Sequence, residues 1–110
     1  MPKILRSFED GLSLLDQKML SSCSPVSVAE PWQGALLREH GVLTNLIRAM
    51  KCISIDAEIG HRAGEFLRDY RKSHGLELGE ALMAASVVAR GAVLWTQNRR
   101  HYPMRAVSFF

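Results

Sequence analysis

The chain has 110 residues, of which 47% are hydrophobic and 23% charged, with a formal charge of +3 at neutral pH. These values suit one small globular domain spanning 1–110 and exclude two separate domains or a highly charged disordered tail. No stretch approaches the roughly 18 unbroken apolar residues that cross a membrane, and Met1 to Ser7 has no apolar run followed by a small-residue cleavage site, so the cytoplasm is the expected location.

A domain of this size buries a modest share of its surface, which makes pairing with a second copy or another protein an expected feature. Cys23 and Cys52 each lie in an apolar run with no C-x-x-C spacing. Two reduced, buried thiols are therefore expected, rather than a disulfide or a metal pair. The arginines are scattered through several segments. Their balance suits a polyanion such as RNA or an acidic protein, and equally an ordinary solvated surface.

In chain order, Phe8, Leu12, Leu15 and Met19 recur at helical spacing over Ser7 to Leu20, and Ser7 with Asp10 resembles an N-terminal cap. Cys23 to Val28 is short and β-branched, and reads as a strand with Pro25 near its start. Trp32, Ala35, Leu36 and Glu39 continue at helical period to Gly41, and a further short helix holds Leu43, Leu46, Ile47 and Met50. Cys52 to Ile55 reads as a second strand. Asp56 then caps a long helix with Ile59, Ala63, Phe66, Leu67 and Tyr70 on one face, ended by Gly75.

Leu78 to Arg90 predicts another helix with Leu82, Ala85 and Val88 or Ala89 facing inward, and Gly91 stands where a left-handed cap belongs. Ala92 to Thr96 reads as a buried strand, followed by a polar turn over Gln97 to His101 and an extended run over Ala106 to Phe110. Strands alternating with helices predict an α/β fold with a mostly parallel sheet, which places ligands at the carboxyl ends of its strands. Glu30 and Asn98 each follow the end of a predicted strand.

Three stretches carry candidate chemistry: Val26-Ser27-Val28-Ala29-Glu30, Leu78-Gly79-Glu80-Ala81-Leu82-Met83-Ala84-Ala85, and Leu94-Trp95-Thr96-Gln97-Asn98-Arg99-Arg100-His101-Tyr102-Pro103. Any one alone is weak, but their order and separation resemble the PIN-domain ribonucleases of the VapC toxin kind from about Ser7 onward. The resemblance implies a three-layer α/β/α fold. It also implies hydrolysis of RNA phosphodiester bonds with Mg²⁺ or Mn²⁺, hard cations that take oxygen ligands. Carried over by position, Glu30 and Glu80 are the catalytic, metal-binding carboxylates and Asn98 a weaker amide ligand. Thr96 orders that ligand, while Arg99, Arg100 and His101 form a basic cluster for RNA phosphates. The partners implied are an RNA substrate, a cognate antitoxin and a second copy in a homodimer.

The chain departs from that pattern. The family begins with a central strand ending in an aspartate, whereas Met1 to Arg6 holds no acid and reads as no strand, so an N-terminally truncated sheet is expected. Glu80 stands where aspartate is usual. Two carboxylates and an amide make a poor cage for Mg²⁺, and these departures favour weak or absent activity, the alternative being a non-catalytic remnant that binds antitoxin or RNA.

Plainer readings stand beside these. Glu30 and Glu80 also suit the first turn of a helix, where the dipole favours acids. His40, His61 and His74 lack metal-ligand spacing and read as surface groups. Trp32, Phe66, Tyr70 and Trp95 read as core rather than as base-stacking platforms, and Met19, Met50 and Met83 as core filling. Phe109 and Phe110 either cover the sheet or form an apolar edge.

Overall fold

The computed structural model describes residues 3–5, 22–96 and 98–110. The helix read over Ser7 to Leu20, Met19 included, lies outside the described residues. Five short strands, β1 (Lys3–Leu5), β2 (Ser22–Cys23), β3 (Lys51–Cys52), β4 (Val93–Trp95) and β5 (Ser108–Phe109), form one sheet in the order β3-β2-β1-β4-β5. Every pairing is parallel, as the alternation of elements predicts.

The expectation of a missing first strand is overturned. Residues Lys3–Leu5 occupy the centre of the sheet, pairing Ile4 with Ser22 on one side and Lys3, Ile4 and Leu5 with Val93, Leu94 and Trp95 on the other. A three-residue strand is too short to show a period of two, so its sequence carries no signal. It is a strand because two neighbours hydrogen-bond to it, and Ile4, 1% exposed, anchors it in the core.

The segment read as a strand over Cys23 to Val28 is a strand for its first residue alone and then a helix, α1 (Pro25–Gln33). Ser24 is its N-cap. The Ser24 hydroxyl accepts from the main-chain N–H of Val26 at 3.1 Å and of Ser27 at 3.4 Å, while the Ser27 hydroxyl accepts from the Ser24 N–H at 3.2 Å. This reciprocal box, with proline at the first helical position, starts a helix despite the two valines that follow. Ser24→Ala is expected to cost about 1 kcal/mol, read as a lower urea midpoint with an unchanged m-value.

The helix expected over Trp32 to Gly41 is instead the end of α1, a single 3-10 turn over Leu37–Glu39 and the start of α2 (His40–Ala49). Gly34 closes α1, and Glu39 Oε1 accepts from the Leu36 N–H at 2.8 Å to open the 3-10 turn.

The two later helices follow their end signals closely. In α3 (Ala57–His74), Asp56 Oδ1 accepts from the Ile59 N–H at 3.0 Å, and Gly75 ends the helix with φ of 63°, a left-handed conformation that glycine adopts without a Cβ penalty. Ile59, Ala63 and Phe66 form its buried stripe. Helix α4 (Leu78–Ala89) buries Ala81, Met83, Ala84, Ala85, Ser86 and Val87. Its alanines let α3 and β4 approach closely, which places this helix at the centre of the main core.

Successive residues of β4 face opposite sides of the sheet, and the core divides accordingly. Ile4 and Leu94 join α3, α4, Tyr102, Met104 and Val107 in the large cluster. Cys23 and Met50 form a smaller cluster, with Leu43 and Ile47 of α2 and Trp95 packed against it. Phe66 and Met83 are core and the partly buried Tyr70 and Trp95 pack against it, as read from the sequence, whereas Trp32, read as core, is partly exposed and joins neither cluster. His61 and His74 are exposed, whereas His40 is half-buried with its ring 4.7 Å from that of Trp32. Among the described helices none is long and apolar enough to cross a membrane.

Candidate active site at the carboxyl edge of the sheet

In a parallel sheet all strands end on one rim; Thr96 and Asn98 lie in the segment leaving it after β4, while Glu30 and Glu80 lie on helices. Glu30 lies within α1 rather than at a strand end, because the helix begins directly after Cys23. Its Oε2 is 3.6 Å from the position a Cβ on Gly79 would take. The Glu30 carboxylate therefore rests against the first turn of α4, one residue from Glu80.

Glu80 is held at both oxygens. Oε1 accepts from the Glu77 main-chain N–H at 3.0 Å, closing the start of α4. Oε2 lies 2.8 Å from His101 Nδ1, with the Glu80 side chain 13% and the His101 side chain 51% exposed. Since a carboxylate only accepts, the shared proton sits on Nδ1 of the imidazole. The positive end of α4 adds a favourable field for the carboxylate's charge. Glu80 is thus both a helix-capping group and a member of the rim, so the two readings of it are compatible.

Asn98 is exposed, and its main-chain N–H donates to Thr96 Oγ1 at 3.1 Å. The Asn98 carbonyl accepts from the His101 N–H at 3.0 Å, starting the 3-10 turn Arg99–His101. Thr96 thereby shapes the turn that carries Asn98 and delivers His101 to Glu80. Glu30 thus lies beside the start of α4, and His101 joins the Glu80 side chain to the turn that begins at Asn98. Among the described residues, no group of three or more His, Cys, Asp or Glu side chains is assembled.

The basic cluster divides. Arg99 Nη2 donates to the Phe110 main-chain oxygen at 2.7 Å, and its guanidinium lies 5.2 Å from the Phe109 ring centroid. It fastens β5, while Arg100 is exposed. Phe110 is 42% exposed and its ring is 4.6 Å from that of Trp95. The His101 contact with Glu80 spans two elements far apart in the chain. No local period announces it.

No protein-family model matches the chain. Over 82 residues it is 34% identical to Ribonuclease VapC10 of Mycobacterium tuberculosis, in two strains, a match that takes in 74% of this chain and 62% of the relative. The chain thus spans about three fifths of the length of these curated relatives. Among solved structures it is similar to a chain from VapBC2 of Rickettsia felis, bound to a DNA fragment from their promoter, with a TM-score of 0.76 at 19% identity over 100% of this chain and 98% of that one. It is likewise similar to a chain of DNA-bound VapBC from Salmonella typhimurium, with a TM-score of 0.75 at 17% identity over 100% and 98% of the two chains. A chain of FitAcB from Neisseria gonorrhoeae gives 0.73 at 19% identity, over 98% and 96%.

The parallel sheet ordered 3-2-1-4-5 and the likeness to these chains over nearly their whole length define the PIN-like α/β/α class. The fold is thus PIN-like, and over 82 residues the sequence is similar to a VapC ribonuclease.

Proposed function

We propose that the chain is a metal-dependent ribonuclease of the toxin–antitoxin PIN type that hydrolyses RNA phosphodiester bonds. The feature that supports this reading is Glu30 Oε2 lying against Gly79, one residue from Glu80, with the Asn98 turn tied to Glu80 through His101. The likeness to a VapC ribonuclease supports the same reaction.

The donors at this rim are oxygens, which fit a hard cation. Mg²⁺ is commonly held by one or two carboxylates while waters and substrate phosphate oxygens fill its other positions. Glu30, Glu80 and Asn98 would hold Mg²⁺ or Mn²⁺, and when bound the ion would polarise the phosphate and lower the pKa of water. His101 orients the Glu80 carboxylate from behind. Arg100 is exposed, and Arg99 and His101 keep donors beyond the Nη2 and Nδ1 atoms engaged here, so all three could meet an RNA phosphate. His101→Ala is expected to weaken Mn²⁺ binding by about 10–100-fold, measured by titration calorimetry.

A second reading has its own support. Glu80 already has both oxygens engaged, no three-residue acidic or histidine group is assembled among the described residues, and the residue after β1 is Arg6. These features suit a non-catalytic PIN module that binds an antitoxin or RNA. Under either reading the proposed partner is an antitoxin protein, as the likeness to a chain of a toxin–antitoxin complex from Klebsiella pneumoniae suggests, and the small size of the domain favours pairing with a second copy. Purified chain incubated with structured RNA decides between them: cleavage with Mn²⁺ that stops with EDTA supports the nuclease, and RNA binding without cleavage supports the module.

A further inference from the structure

Cys23 and Cys52 are register partners on the parallel strands β2 and β3. Register partners project to the same face, and adjacent strands lie about 4.7–4.9 Å apart, inside the Cα separation of roughly 4.4–6.8 Å that a disulfide spans. Both thiols are free, with Cys23 fully buried and Cys52 exposed. The sequence reading had both buried. The correction follows from β3 being the edge strand, whose outer side nothing in the sheet covers.

From this geometry we infer that Cys23 and Cys52 form a modification site: an exchangeable pair that closes to an intramolecular disulfide on reaction with a low-molecular-weight disulfide. The reaction starts at Cys52, the thiol that solvent reaches. Its thiolate attacks one sulfur of the reagent, forming a mixed disulfide and releasing one reagent thiolate. The Cys23 thiol then gives up its proton, its sulfur attacks the Cys52 sulfur, and the second reagent thiolate leaves. Two protein thiols are oxidised as one disulfide is reduced to two thiols.

Cys23 is unreactive beforehand. Burial, then the adjacent Cys52 charge and a hydrogen bond with its side chain, pushes the Cys23 thiol up to about 12. The two contributions from Cys52 vanish once that residue is a neutral mixed disulfide. Burial, the largest cause, remains, and the second step is favoured because it is intramolecular between neighbours already in register. The bond ties edge strand β3, and the loop that leads to the Asp56 cap, to the body of the sheet.

The test uses the full chain incubated with oxidised glutathione, quenched with iodoacetamide and read by intact mass. The expected product is monomeric, lighter by roughly two mass units, carries no alkyl group and reverts with dithiothreitol. Its melting temperature rises by several degrees, as closing a loop of this length predicts. Cys52→Ser, at an exposed position, is expected to give neither change, and Cys23→Ser no more than a mixed disulfide at Cys52. A wild-type product that stops at the mixed disulfide, or links two chains through Cys52, overturns the proposal.

Discussion

Ile4→Ala is expected to destabilise the protein by about 2–5 kcal/mol, the range for truncating a large aliphatic side chain in a packed interior. Ile4 is 1% exposed, sits on the central strand and belongs to the cluster built by α3, α4 and Leu94. Few neighbours can move into the space, because ladders on both sides hold the strand. The melting temperature should fall by roughly 10 °C or more, with a matching drop in the urea midpoint. A surface residue in a frayed terminus would change stability by no more than about 0.5 kcal/mol. A result of that size would show that Lys3–Leu5 does not form the centre of the sheet.

Glu80→Gln and Glu30→Gln are each expected to reduce Mn²⁺-dependent RNA cleavage by about 100-fold or more, beyond what losing an outer partner costs a metal site. The amide is the informative substitution at position 80. Glutamine can still accept from the Glu77 N–H and so keeps the start of α4, whereas alanine would remove that cap at a cost of about 1 kcal/mol. A loss of cleavage in Glu80→Gln with an unchanged melting temperature thus separates chemistry from folding. Glu30 is exposed, so its amide should leave stability within about 0.5 kcal/mol of the parent. If both amide variants cut RNA at the parental rate, these carboxylates have no part in cleavage and the nuclease reading falls.

The helices α3 and α4 were legible in the sequence because each carries its own instructions. Asp56, the stripe of Ile59, Ala63 and Phe66, and the left-handed Gly75 specify α3 without reference to anything distant. Gly91, with φ of 58°, does the same for the turn after α4. Strand β4 was visible as a short apolar run between glycine and a polar turn. Helix α1 was misread for a local reason: Val26 and Val28 suggested a strand, yet Ser24, Pro25 and Ser27 supply a capping box at the point where the chain must start a helix. Backbone groups satisfied by the cap outweighed the weak strand preference of two valines.

For the candidate site, the order of Glu30, Glu80 and Asn98 along the chain and the family resemblance could be read directly. Whether they share one rim could not, since that depends on how distant strands and helices pack. The Glu80–His101 contact and the Cys23–Cys52 register are of the same kind. Nothing within a few residues of either cysteine distinguishes two isolated thiols from two neighbours.

By itself the sequence determined an α/β alternation, the ends of the two longest described helices and the identity of the acids available to the rim, because caps, glycine turns and helical periods act within a few residues. Tertiary structure alone decided that Lys3–Leu5 is the central strand, that Cys52 is exposed and that His101 meets Glu80. Each of these arises from pairing between distant segments, and a three-residue strand or a single side chain carries too little local preference to announce its partner.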